Sequence, residues 1–185
     1  MESANKARGA SRPGGGRVPG AGYTPARPLL HFARAVLVAH GWTVQEVWWE
    51  PPEDVHDWES WVADEARRAL DAESAPRRLV VGKSLGSLAL PVATAEGLAG
   101  VWLTPGFRRQ SMRQALTSAV APQLLVGGTG DQSWDGAVAR ASHHEVLEIE
   151  GVDHNLEIPG NPLASVDALR RVVAGIDAYV TGLHT

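Results

Sequence analysis

The sequence predicts an α/β fold, a three-layer α/β/α sandwich with a mostly parallel sheet. Three observations carry that reading. Short apolar runs rich in β-branched residues alternate with longer segments whose apolar residues recur at helical spacing. Helical connections between successive strands require parallel pairing, and a parallel sheet needs cover on both faces. The residues with the most chemical potential, Ser84, Asp131 and His154, each fall just after a predicted strand. The carboxyl ends of strands are where open α/β sheets collect their sites.

The elements follow in order. Residues 1–17 are rich in Gly, Ser, Arg and Pro with almost no apolar content, so they read as a disordered tail. The folded domain is expected over 18–185. Thr24-Pro25 reads as an N-cap and first helical residue. It opens an amphipathic helix through Leu29, Leu30, Phe32, Ala33, Val36 and Leu37, which Gly41 ends. Thr43 to Trp48 reads as a strand. A helix is expected from about Asp54 to Leu70, carrying Val55, Trp58, Trp61, Val62, Ala66 and Leu70 on one face. Leu79–Val81 is a strand, and 85–96 a helix that Pro91 is expected to bend. Strands at 100–103, 123–127 and 145–149 alternate with helices at about 109–119 and 135–141. The last helix runs from about Pro162 to Val180.

Bulk properties narrow the function classes. The 185 residues are enough for one domain with a single substantial core. Apolar residues make up 44% and charged residues 21%, as in an ordinary globular protein. The net charge of −4 argues against nucleic acid as a partner. The absence of cysteine excludes disulfides, thiolate metal sites and a cysteine nucleophile, and fits a cytoplasmic location. No apolar run approaches a membrane span, and the basic start lacks the apolar core of a secretory signal.

The most informative stretch is Leu79-Val80-Val81-Gly82-Lys83-Ser84-Leu85-Gly86. An apolar strand ends in Gly-x-Ser-x-Gly, and a helix pattern follows. That is the form of a nucleophile elbow, in which flanking glycines let strand and helix cross closely around a cramped serine. Gly82-Lys83-Ser84 also spells the end of a phosphate-binding loop. That motif needs a glycine five residues before its last glycine, where Arg77 stands, and the intervening residues read as strand. A nucleotide-binding reading, with Lys83 on phosphate, is therefore the remote alternative.

Hydroxyl attack on a carbonyl needs a base for the serine, an acid to orient the base, and donors for the oxyanion. Gly127-Gly128-Thr129-Gly130-Asp131 places a carboxylate beyond a strand on a glycine-rich turn, with Asp135 as a rival acid. Gly151-Val152-Asp153-His154 does the same for an imidazole. The order Ser84, Asp131, His154 is that of one triad-bearing fold class and not of the others. The oxyanion donors are expected to be the backbone amides of Leu85 and of Ala21, in the turn Pro19-Gly20-Ala21-Gly22. His143 and His144 are adjacent, so their side chains diverge, and they read as solvent-facing residues and not as a metal pair.

The seven tryptophans are the one oddity of composition. Trp48, Trp49 and Trp134 fall near strand ends and are candidates for an aromatic wall around an acyl or aromatic group, or for core packing. Trp58 and Trp61, on a helix, read as core.

Taken together, the elbow at 82–86, the acid turn at 128–131, the histidine loop at 151–154 and the glycine-rich turn at 19–23 resemble the α/β-hydrolase superfamily. The likeness spans about residues 18–180 and is nearest to its small, lidless, dienelactone-hydrolase-like members. The Gly-Lys-Ser elbow also looks like that of hydrolase-like domains in some chromatin-associated regulators. The resemblance implies serine-dependent hydrolysis of an ester, thioester or similar acyl bond of a small molecule, through an acyl-enzyme and without cofactor or metal. Its alternative is a catalytically impaired binding or scaffold protein. In that superfamily the strand before the oxyanion turn is an apolar run. Here Gly14-Gly15-Gly16-Arg17 stands in its place, with Val18 alone apolar, and earlier strands are absent. A truncated or degenerate N-terminal strand region is the expected consequence.

Overall fold

A computed structural model describes residues 14–18 and 23–183 of the chain. Six strands form one parallel sheet: β1 (Gly14–Val18), β2 (Thr43–Glu46), β3 (Arg78–Lys83), β4 (Ala99–Leu103), β5 (Gln123–Gly128) and β6 (Glu145–Ile149). Their spatial order is β2-β1-β3-β4-β5-β6. The helices are α1 (Pro28–Ala39), α2 (Trp58–Asp71), α3 (Leu90–Ala95), α4 (Gln110–Ser118), α5 (Gly136–Ala141) and α6 (Pro162–Gly182). Neighbouring β3 residues serve opposite faces: Leu79 and Val81 join the core under α1 and α6, and Val80 joins the core under α2 to α5. The α/β/α sandwich read from the sequence is therefore the observed architecture.

The chain runs from β1 outward to β2, then returns past β1 to β3 and proceeds the other way. The switch point of the sheet thus lies between β1 and β3. Ligand crevices in open parallel sheets form at such a point, outside the carboxyl ends of the strands. Ser84 directly follows β3 there.

Several expectations need correction. Residues 14–17 do not belong to a tail. They form most of β1, which pairs with β2 on one side and β3 on the other. Ladder hydrogen bonds on both sides satisfy its backbone, so an apolar side-chain pattern is not what makes it a strand. The rest of the expected tail, 1–13, lies outside the described residues.

Helix α1 starts at Pro28 and not at Pro25. Arg27 is extended (φ −69°, ψ 152°), as a residue before proline prefers to be, and Arg27 N–H closes a turn onto Thr24 O at 3.0 Å. Helix α2 starts at Trp58 because Asp57 caps it, accepting from the amides of Glu59 and Ser60. The segment expected as one helix over 85–96 is a 3-10 turn, Ser84–Ala89, followed by α3. Pro91 stands in the first turn of α3, where its missing N–H costs nothing, so it does not bend a longer helix. Strand β2 ends at Glu46, before the two tryptophans.

Among the described residues no helix is long and apolar enough to cross a membrane.

Candidate active site

The serine turn is shaped by its glycines. A Cβ on Gly82 would sit 2.5 Å from the carbonyl oxygen of Gly86 and 3.0 Å from the Trp102 ring, so strand and turn can cross here only without a side chain. Ser84 itself has φ +53°, a left-handed conformation that L-residues seldom adopt. The Ser87 hydroxyl donates to the Ser84 carbonyl at 2.5 Å and braces the turn.

The acid turn and the histidine loop are stitched to each other. Gly130 N–H donates to Val152 O, Thr129 N–H to Ile149 O, and Gly151 N–H to the Thr129 hydroxyl. The loop after β6 also closes on itself. The Asp153 carboxylate accepts from the amides of Asn155 and Glu157, and Asp153 N–H donates to Glu157 O. These bonds fix the imidazole between the other two groups.

Ser84 Oγ lies 2.7 Å from His154 Nε2, and His154 Nδ1 lies 2.7 Å from Asp131 Oδ2. The carboxylate on Nδ1 selects the tautomer that donates there, which leaves Nε2 to accept the serine hydroxyl proton. Asp131 is buried, while His154 is partly open to solvent. Burial alone would raise the Asp131 pKa. Hydrogen bonds from the amide and hydroxyl of Ser133 and from His154 outweigh it and hold the carboxyl below its ordinary range.

Ser133 is the residue that the sequence reading missed. Its amide and its hydroxyl both donate to Asp131 Oδ1, at 2.8 and 2.7 Å. Its Oγ also lies 3.1 Å from His154 Nδ1, so it shares that N–H with Oδ2. The available signal was its spacing: a serine two residues after a turn carboxylate closes a local ring onto it. The rival acid Asp135 does not join the site. It caps α5, accepting from the amides of Ala137 and Val138.

Of the expected oxyanion donors, Leu85 follows Ser84 in the 3-10 turn, and Ala21 lies outside the described residues. Leu85, Trp49 and Trp134 all pack against the same core layer, the one beneath α2 to α5. Trp49 packs on Trp61 as a tilted pair at 5.0 Å, and Trp58 meets Trp61 edge to face at 5.8 Å. Trp134 covers Gly127, donates its indole N–H to Glu148 at 2.7 Å, and contacts Phe107 at 5.7 Å. Trp48 stands apart, 60% exposed, with its N–H on Glu46. His144 is half-buried against the Leu116 carbonyl at 3.1 Å, a correction to its expected solvent-facing position, whereas His143 is exposed.

Lys83, the neighbour of Ser84, is 2% exposed. Its ammonium sits 4.8 Å from the centroid of the Tyr23 ring. Desolvation lowers its pKa to about 8, against the pull of the Asp131 and Asp153 carboxylates, which raise it. Behind Tyr23 and the histidine loop a separate cleft of about 450 Å³ opens between α1 and α6; its lining includes neither Ser84 nor His154.

No family model and no curated protein matches the chain. Solved structures do. Est1E from Butyrivibrio proteoclasticus, in a structure with bound ferulic acid, is similar at 11% identity over 94% of this chain and 90% of its own, with a TM-score of 0.71. A predicted CIB-like hydrolase from Thermoplasma acidophilum is 16% identical over 93% and 89%, with a TM-score of 0.68. An α/β serine hydrolase without a lid from Xanthomonas campestris is 15% identical over 92% and 84%, with a TM-score of 0.58. Near-full coverage of both partners, with the parallel sheet and its flanking helices, gives the chain the α/β-hydrolase fold in a minimal, lidless form.

Proposed function

We propose that the chain is a serine hydrolase that cleaves a small ester, thioester or similar acyl bond. The observation that carries this reading is the unbroken Ser84–His154–Asp131 hydrogen-bond chain at a serine of positive φ. Ser84 Oγ attacks the acyl carbon while His154 Nε2 takes its proton. Asp131 holds the imidazole in place and balances the imidazolium. The carbonyl oxygen becomes an oxyanion, for which the Leu85 amide and the turn containing Ala21 are the donors. Collapse expels the alcohol or thiol, which leaves with the proton from His154. Water, deprotonated by the same nitrogen, then attacks the acyl-serine; collapse breaks the bond to Ser84 Oγ, which takes the proton back from His154, and the acid is released.

The layer of Leu85, Trp49 and Trp134 supports an apolar or aromatic acyl group, as does the ferulic acid bound by the Est1E neighbour. On this reading Trp49→Ala shifts acyl preference toward longer chains, which a panel of p-nitrophenyl esters measures; an unchanged preference removes Trp49 from the pocket.

A second reading rests on β1. Three successive glycines lead into the expected oxyanion turn, which favours a catalytically impaired binding or scaffold protein. Fluorophosphonate labelling decides between the two, because the probe reacts only with a serine activated by its base and oxyanion site. The proposal expects the wild type to be labelled and Ser84→Ala not to be. A folded wild type that resists the probe overturns it in favour of the scaffold.

A further inference from the structure

Lys83 is the least expected residue near the site. A buried ammonium is expensive unless it is paired. Among the described residues no carboxylate or carbonyl bonds to it directly, and its contact is the face of Tyr23. Of the 17 lysines and arginines, only Lys6 and Lys83 are lysines. The chain thus places one of its two lysines in the residue before the serine, where arginine would stay charged at every pH.

What surrounds the ammonium is informative. Tyr23 follows the turn expected to hold the oxyanion, and its hydroxyl accepts from Leu29 N–H at the start of α1. Asp131 comes from the turn after β5 and Asp153 from the loop after β6, and both draw on the ammonium through space. Glu157 and Arg27 are the other charges that act on Tyr23. The Tyr23 ring thus seats the cation borne by β3, and the carboxylates of the acid turn and the histidine loop favour its charged form.

We propose that Lys83 is a positioning residue whose buried ammonium, seated on the face of Tyr23, holds the segment after the oxyanion turn against the serine elbow. The inference rests on the hydrolase reading, since positioning matters only to a reacting site. It gives that site a dependence on the charge of a group that touches no substrate. As Lys83 loses its proton the attraction to Tyr23 is lost, and the site loosens.

The test is the rate of fluorophosphonate labelling from pH 6 to 10 for the wild type, Lys83→Met and Asp153→Asn. Asp153→Asn removes the charge and keeps an oxygen for the Asn155 and Glu157 amides. The wild-type rate is expected to fall with a midpoint near 8, the value to which Lys83 is lowered. In Asp153→Asn the fall moves to lower pH, because one source of support for the ammonium is gone. Lys83→Met lacks the fall and is slower by about tenfold at pH 7, as expected for the loss of roughly one charge-assisted contact. A Lys83→Met profile that keeps the wild-type fall overturns the proposal, and a merely structural lysine leaves the profile unmoved.

The ammonium is also read without any reaction, by NMR titration of the lysine Cε signals, of which the chain has two. A Lys83 midpoint near 8 that drops in Asp153→Asn upholds the coupling. An ordinary lysine midpoint that Asp153→Asn leaves in place overturns it. Failure of the wild type to be labelled overturns the hydrolase reading alone, and the titration still decides whether Lys83 is coupled to the loops.

Discussion

The Ser133 hydroxyl donates to Oδ1 of Asp131 at 2.7 Å, leaving Oδ2 for the imidazole of His154. Each oxygen of the carboxylate thus has its own partner, and the carboxyl plane cannot rotate without breaking a bond. Ser133→Ala removes the hydroxyl's bond to Oδ1 and its contact with His154 Nδ1, and keeps the amide bond to Oδ1. The probe-labelling rate is expected to fall by about tenfold, equivalent to one hydrogen bond of roughly 1.4 kcal/mol. Asp131→Asn presents the wrong hydrogen-bonding group to Nδ1 and is expected to cost about 10⁴. Equal losses in the two variants would place Ser133 in a role other than orientation.

The same bonds make Asp131 a source of stability with a defined pH window. Its folded pKa lies below the ordinary carboxyl value of 3.8, so the unfolded chain binds the proton first on acidification. The contribution is present in full above 3.8 and is lost as pH falls through the folded value. Urea unfolding of the wild type and Asp131→Asn is expected to differ by a constant amount from pH 5 to 7. The two curves converge below pH 3.8. A difference that persists at low pH would assign the stabilisation to packing.

Lys83 has the opposite sign. Its pKa is lowered from 10.5 to about 8 in the fold, so between those values the unfolded chain holds the proton that the folded chain has lost. Stability is therefore expected to rise as pH goes from 8 to 10.5, and the buried charge costs stability at pH 7. The depression corresponds to about 3 kcal/mol, at 1.36 kcal/mol per pKa unit. Lys83→Met is expected to be more stable than the wild type at neutral pH by up to about that amount. If the same variant is also slower, the lysine is kept for the site at the expense of the fold. A destabilised Lys83→Met in urea unfolding would contradict this account.

How much of this was legible in the sequence follows from range. The alternation of strand and helix was readable because each element's apolar period is local, from Leu79–Val81 to the α6 face of Val172 and Ile176. Ser84, Asp131 and His154 were readable because short motifs mark strand ends, and they lie within hydrogen-bond reach in the order read. Strand β1 was misread because its identity comes from the pairing of Gly14–Val18 with two neighbours, which no local pattern carries. The start of α1 was misread because two prolines compete, and Pro28 wins by forcing Arg27 to be extended. Ser133 and the seat of Lys83 depend on contacts across the fold. Tyr23 lies far from Lys83 in the chain, and only the folded arrangement brings its ring to 4.8 Å from the ammonium.

The elbow glycine offers a sharp test of how tightly the fold constrains the serine. A Cβ at position 82 would meet the Gly86 carbonyl oxygen at 2.5 Å, its carbon at 2.8 Å and the buried Trp102 ring at 3.0 Å. Two of these are backbone atoms of the turn that carries Ser84, and none is the end of a flexible side chain. Relief therefore requires the turn to shift, and Ser84 Oγ, 2.7 Å from His154, shifts with it. Gly82→Ala is expected to destabilise by about 2 kcal/mol, in the range for overpacking a tight core, and to lose labelling by at least about 10². Gly97 is the control. It has φ +64° but nothing within 4 Å of an added Cβ. Gly97→Ala is expected to cost about 1 kcal/mol of backbone strain and to leave labelling unchanged. Urea unfolding and probe kinetics on the two variants separate strain from displacement. If both lose stability alike and Gly82→Ala still labels at the wild-type rate, the close crossing of strand and turn does not set the position of the serine.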